Sequence, residues 1–110
     1  MPGNFVIQKA SNQQYYFNLR AGNNKIILTS ETYSSKTAAQ NGVKAMKANA
    51  RLGTRYSRKE ARDGKAYFVL LAANGEPLGQ SELYSSQAAR ETGINAVKQN
   101  ASKATTVDRT

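Results

Sequence analysis

A chain of 110 residues in which 16 Lys and Arg stand against 7 Asp and Glu carries a formal charge of +9, a balance that favours polyanions, acidic proteins or anionic surfaces as partners. It contains neither His nor Cys, which excludes a disulfide framework, thiolate or imidazole metal sites, and Ser-His or Cys-His nucleophile activation. A chain of this length can close one domain with a surface of roughly 6,000 Å², whereas either half alone would bury only ~60% of its extended surface.

From the N-terminus, Phe5 to Lys9 alternates as a strand, the polar run Ser11 to Gln14 turns, and Tyr15 to Ala21 alternates again with Phe17, Leu19 and Ala21 on one side. The pattern predicts a hairpin. Gly22 to Lys25 forms the next turn, Ile26 to Thr29 a third strand, and Ser30 to Ser35 leads into a helix. Ser34-Ser35 stands where an N-cap is needed, because a serine oxygen there accepts from an otherwise unpaired helix N–H. Within the helix, Ala38, Gly42, Ala45 and Asn49 share a small-residue stripe beside the bulkier Val43 and Met46, leaving Lys36, Gln40, Lys44 and Lys47 to solvent.

After the link Arg51 to Arg55 the same unit is written again. Ser81 to Ala101 repeats Ser30 to Ala50 without a gap, Tyr67-Phe68 matches Tyr16-Phe17, Leu70 matches Leu19, and Tyr56 matches Phe5. The second copy sharpens the turns: Asp63-Gly64 and Asn74-Gly75 are hairpin signals that predict type I′ geometry. Pro77, lacking an N–H, predicts the start of a strand or an edge. Repeats over 4–50 and 55–101 therefore form one domain over 1–101, and 102–110, without periodicity or caps, is expected to be a mobile tail. Two marginal halves with matching faces are best served by a shared core. The expected architecture is α+β: two βββα units, six antiparallel strands in one sheet, two helices on one face, and a pseudo-twofold axis.

The Tyr-Phe-x-Leu-x-Ala run, the Ser-Glu-x-Tyr-Ser-Ser link and the Gly-Val/Ile-x-Ala-x-Lys-x-Asn helix end, all in two tandem copies, resemble the YegP-like family of small bacterial proteins. The resemblance covers the chain short of its tail. It implies one antiparallel sheet with the two helices exchanged across the pseudo-twofold, a shape that single-copy relatives reach as homodimers. It implies no activity and supplies no catalytic or binding residues to carry over.

The residues themselves argue against catalysis: no Gly-rich phosphate loop follows a strand and no helix carries paired metal ligands. The repeated carboxylates Glu31 and Glu82 are the acid–base candidates, but residues retained in both units are those a shared fold needs. Neither a cofactor nor a metal is expected. The densest charge, Arg51, Arg55, Arg58, Lys59, Arg62 and Lys65, occupies the link and first hairpin of the second unit, where the first unit is mostly neutral. That divergence fits a phosphate-binding patch and equally a charge-protected edge strand. By strand parity Tyr16, Asn18, Arg20, Tyr67, Val69 and Leu71 face away from the helices. Rings and cations on an open sheet suit single-stranded nucleic acid or RNA. Val69 and Leu71 instead suggest a protein-docking strip as the alternative. No apolar stretch has the length of a membrane span or signal core, and Met1-Pro2-Gly3-Asn4 is not a charged leader. A monomeric cytoplasmic protein with nucleic acid or an acidic protein as partner, and no membrane, is the expectation.

Overall fold

The computed structural model describes residues 3–110. In chain order the elements are β1 (Asn4–Lys9), β2 (Tyr15–Arg20), β3 (Ile26–Ser30), α1 (Lys36–Ala50), a 3-10 turn (Gly53–Arg55), β4 (Tyr56–Glu60), β5 (Ala66–Leu71), β6 (Pro77–Gln80), α2 (Gln87–Ala101) and β7 (Thr105–Asp108). The strands form one seven-stranded sheet in the order β4-β5-β6-β3-β2-β1-β7. The two repeats meet where β3 and β6 pair antiparallel, Thr29 against Gln80 and Ser30 against Gly79. Gln80 is also the repeat counterpart of Thr29, so the pseudo-twofold axis passes through that pair.

Both helices lie on one face, and each crosses the seam: α1 packs on β1 and β2 of its own repeat and on β5 and β6 of the other, and α2 on β1 and β3 as well as β5. One core results. Phe5, Ile7, Phe17, Leu19, Leu28, Phe68 and Leu70 from the strands close against Val43, Met46, Ile94 and Val97 from the helices. Gly79 lets Met46 of α1 reach the seam, since a Cβ there would stand 2.8 Å from the Met46 methyl and 3.0 Å from the Thr29 carbonyl oxygen. The helix glycines answer the same need. A Cβ at Gly42 or Gly93 would overlap the hydroxyl of Tyr33 or Tyr84, whose rings stack on Phe17 and Phe68.

The Ser35 and Ser86 side chains cap the helices, each accepting from the N–H three residues on at 3.0 Å. All four hairpin turns share one geometry. In the first, the Gln13 N–H donates to the Ala10 carbonyl and the Ala10 N–H to that of Gln14; Asn24, Gly64 and Gly75 close the other three in the same way. A side-chain oxygen of Asn12, Asn23, Asp63 or Asn74 accepts from the backbone N–H two residues on. Only the last loop residue has positive φ, so these are type I turns with a left-handed closing residue and not the type I′ turns expected at Asp63-Gly64 and Asn74-Gly75.

The expected tail also differs. Residues 105–108 form β7, parallel to β1 with Phe5 opposite Thr106 and Val6 opposite Val107, so the sheet has a seventh strand and one parallel pair. Symmetry supplies the reason. The chain leaving α1 enters the β4 slot at one edge; the twofold-equivalent slot for the chain leaving α2 is already filled by β1. The chain therefore settles one position further out, running in β1's direction. The surface of 6242 Å² is that of one domain of this length. No helix among the described residues is long and apolar enough to cross a membrane.

Candidate nucleic-acid interface

Strand β4 lies at an edge of the sheet, and its alternation divides the cations that the sequence groups together. Arg58 sits opposite Phe68, on the helix side, where its Nε and Nη2 donate to both carboxylate oxygens of Glu91 at 2.8–3.0 Å. That contact raises the Arg58 pKa and lowers that of Glu91. Arg90 adds a 3.3 Å contact to Glu91 and donates from Nη1 to the Lys59 carbonyl. Arg55 donates to Asn49 at 2.9 Å, and Arg51 caps the C-terminus of α1. The Arg55, Arg58 and Arg90 side chains thus serve the junction between helix and edge strand, whereas Arg51 takes part through its backbone alone and its side chain is exposed. A bidentate pair to Glu91 leaves Arg58 poorly placed to hold a phosphate.

Lys59 points to the other side. It pairs directly with Tyr67 across β4 and β5, and Arg62 and Lys65 stand exposed in the adjoining turn. None of the three forms an ion pair among the described residues. Tyr67 is half-buried and Leu71 intermediate, but Val69 is only 8% exposed, so the apolar strip expected there is largely closed by its neighbours. The same row reads Ser57, Val69, Gln80, Thr29, Asn18, Val6 and Val107 across the sheet, and Val6 and Asn18 are buried within it.

Tyr16 and Arg20 share this face but stand on β2, beyond the seam. Arg20 is held by the side-chain oxygens of Asn18 at 3.1 Å and Asn24 at 3.4 Å. About the pseudo-twofold is a depression of about 300 Å³ lined by Thr29, Ser30, Glu31, Gln80, Ser81 and Glu82. The repeated carboxylates thus flank one hollow, set between the β4–β5 hairpin and the Tyr16 and Arg20 positions of β2. Strand parity places Lys59, Tyr67, Tyr16 and Arg20 on this face but does not reveal the hollow, because Glu31 and Glu82 lie past the strand ends and only the β3–β6 pairing sets them on its two sides. Burial, and then the charge of Glu31 or Glu82, raises the pKa of Tyr33 and Tyr84. Burial alone pushes that of Tyr56 up, and its hydroxyl donates to the Ala50 carbonyl. No group of three or more acidic residues is placed to hold a metal among the described residues.

The duplicated βββα sheet with both helices crossing the seam defines a tandem-repeat class, and comparison with known proteins places the chain within it. The profile described as "Domain of unknown function (DUF1508)" matches twice, over residues 10–57 and 61–108, intervals offset by the same distance that separates Thr29 from Gln80. The chain belongs to this family, the one that includes the YegP-type proteins. It is 44% identical to the UPF0339 protein YegP of Escherichia coli K12 over all of both chains. It is 52% identical to a UPF0339 protein of Bordetella pertussis, covering 100% of this chain and 98% of the relative. The solution NMR structure of E. coli YegP, described as a protein of unknown function, superposes with a TM-score of 0.93 at 44% identity, covering 99% and 94% of the two chains. That of a UPF0339 protein from Shewanella oneidensis gives 0.91 at 42% identity, covering 98% and 92%.

Proposed function

We propose that this chain is a non-catalytic binding module that holds single-stranded nucleic acid or RNA on the β4–β5 hairpin, weakly and without sequence preference. The supporting observation is the Lys59–Tyr67 cross-strand pair on the uncovered face, next to Arg62 and Lys65, which form no ion pair among the described residues. A ring and a cation side by side suit a stacked base and its phosphate. The Glu31 and Glu82 hollow repels a polyanion, so the strand runs along the hairpin and does not cross the seam to Tyr16 and Arg20. The protein-docking alternative loses ground because Val69 is buried and Leu71 alone offers little apolar area.

Three phosphate contacts give a log–log salt slope of about −2 on single strands, at roughly −0.7 per phosphate. The test is fluorescence anisotropy of labelled single-stranded and duplex oligonucleotides over a salt series. The variant with Lys59, Arg62 and Lys65 all changed to Gln is expected to lose binding and flatten the slope, while Arg58→Gln leaves both nearly unchanged. No binding at low salt, or binding indifferent to the triple change, rejects the proposal.

A further inference from the structure

A second surface lies far from β4 in sequence and carries a different chemistry. Between α2 and the β2–β3 turn is a groove of about 430 Å³, within the range of small-molecule sites. Ile27, Ala89 and Ala96 give it apolar walls, and Tyr84, Lys25 and Thr92 line it as well. The Tyr84 ring is fixed by stacking on Phe68 and its hydroxyl lies against Gly93, without a hydrogen bond to any protein group among the described residues. Lys25 is exposed and forms no ion pair among those residues.

We propose that this groove binds a small amphipathic acid: an apolar body about the size of one aromatic ring and a short chain, ending in a carboxylate. The apolar walls take the body, Lys25 pairs with the carboxylate, and the Tyr84 hydroxyl donates to it or to a polar atom beside it. The repeat itself supplies the argument for charge. In the other half the counterparts of Ile27, Ala89, Ala96 and Tyr84 are Leu78, Ala38, Ala45 and Tyr33, so the walls are kept, but the counterpart of Lys25 is Glu76. A residue the shared fold required would not reverse its sign between copies. The charge at this rim is therefore free to serve a ligand, and its sign selects an anion.

The test is a titration of the ¹⁵N-labelled full chain with 4-phenylbutyrate, followed by amide chemical shifts, beside a titration with the neutral 4-phenylbutanol. Saturable shifts confined to residues 21–27 and 84–96 are expected for the acid, with weaker binding of the alcohol. Both Lys25→Met and Lys25→Glu are expected to lower affinity for the acid roughly tenfold or more, the loss of a charge-assisted contact. Lys25 is a surface residue, so an otherwise unchanged variant spectrum certifies the fold. Shifts scattered over the surface, equal response to acid and alcohol, or unchanged binding by both variants overturns the proposal. None of these residues belongs to the Lys59–Lys65 hairpin, so either reading can fail while the other stands.

Discussion

Gln13 and Asn24 hold φ of 68° and 67° at the closing positions of the first repeat's turns, where the second repeat has Gly64 and Gly75 at 83° and 85°. Left-handed backbone costs an L-residue about 1 kcal/mol or more, least for Asn. Part of the relief from a glycine is offset by the greater freedom it gives the unfolded chain. Gln13→Gly is therefore expected to stabilise by about 0.5–1 kcal/mol and to raise Tm by about 2–4 °C, with a smaller gain for Asn24→Gly. Calorimetry decides it, and a lower Tm for Gln13→Gly contradicts the strain argument. Asp63-Gly64 and Asn74-Gly75 reveal in the sequence where the chain turns, because the glycine marks the left-handed position. They do not reveal the turn type, since Asp63 and Asn74 stay at negative φ and act through their side chains. The basic patch was legible in the same partial way. Its residues are adjacent in sequence, but alternation on β4 sends Arg58 to Glu91 and Lys59 to Tyr67, and nothing local to the patch names Glu91 as a partner.

At the scale of elements, β7 is where the repeat was hidden. The family's unit runs to residue 108, so Thr105 to Asp108 are the counterparts of Thr54 to Ser57, where the 3-10 turn enters β4. Of these pairs only Thr105 and Thr54 are identical, and a four-residue strand with a single apolar side chain has no readable period. The strand is fastened by polar contacts. Asp108 accepts from the Thr110 hydroxyl at 2.6 Å and the Thr110 N–H at 2.9 Å, and Lys36 of α1 stands 3.1 Å away. Those contacts, the Thr110 hydroxyl foremost, hold its pKa down at about 2. A carboxyl whose folded pKa lies below its unfolded value of about 3.9 stabilises the strand fully above that value. The contribution is lost as pH falls from about 4 towards about 2. The Asp108 carboxyl carbon, followed by NMR, should titrate near 2 in the parent chain and closer to 4 in Thr110→Ala. An ordinary midpoint in the parent chain removes the fastening, and with it the loss of β7 stability expected in acid.

The molecule as a whole rests on helices that each cover strands of both repeats, a crossing that the family resemblance implied, and the shared core beneath them was the most legible feature. Phe17, Leu19, Phe68 and Leu70 recur at matched positions and all point into one core, as parity and the marginal size of each half require. Met46 is the residue that ties the halves. It belongs to the first repeat, is fully buried, and its methyl lies over Gly79 of the second at the seam. Met46→Ala removes buried volume that Gly79 cannot fill, and the expected loss is about 2–5 kcal/mol. In a domain of ordinary stability, about 5–15 kcal/mol, that loss is large enough to measure in urea. If the core is shared, it must fall on both repeats together. Amide protection in β2 and in β5 should drop by the same factor, and unfolding should stay a single transition with one midpoint by fluorescence and by circular dichroism. Protection lost in β2 alone, with β5 unchanged, would mean that the repeats fold as separate units that merely touch along β3 and β6.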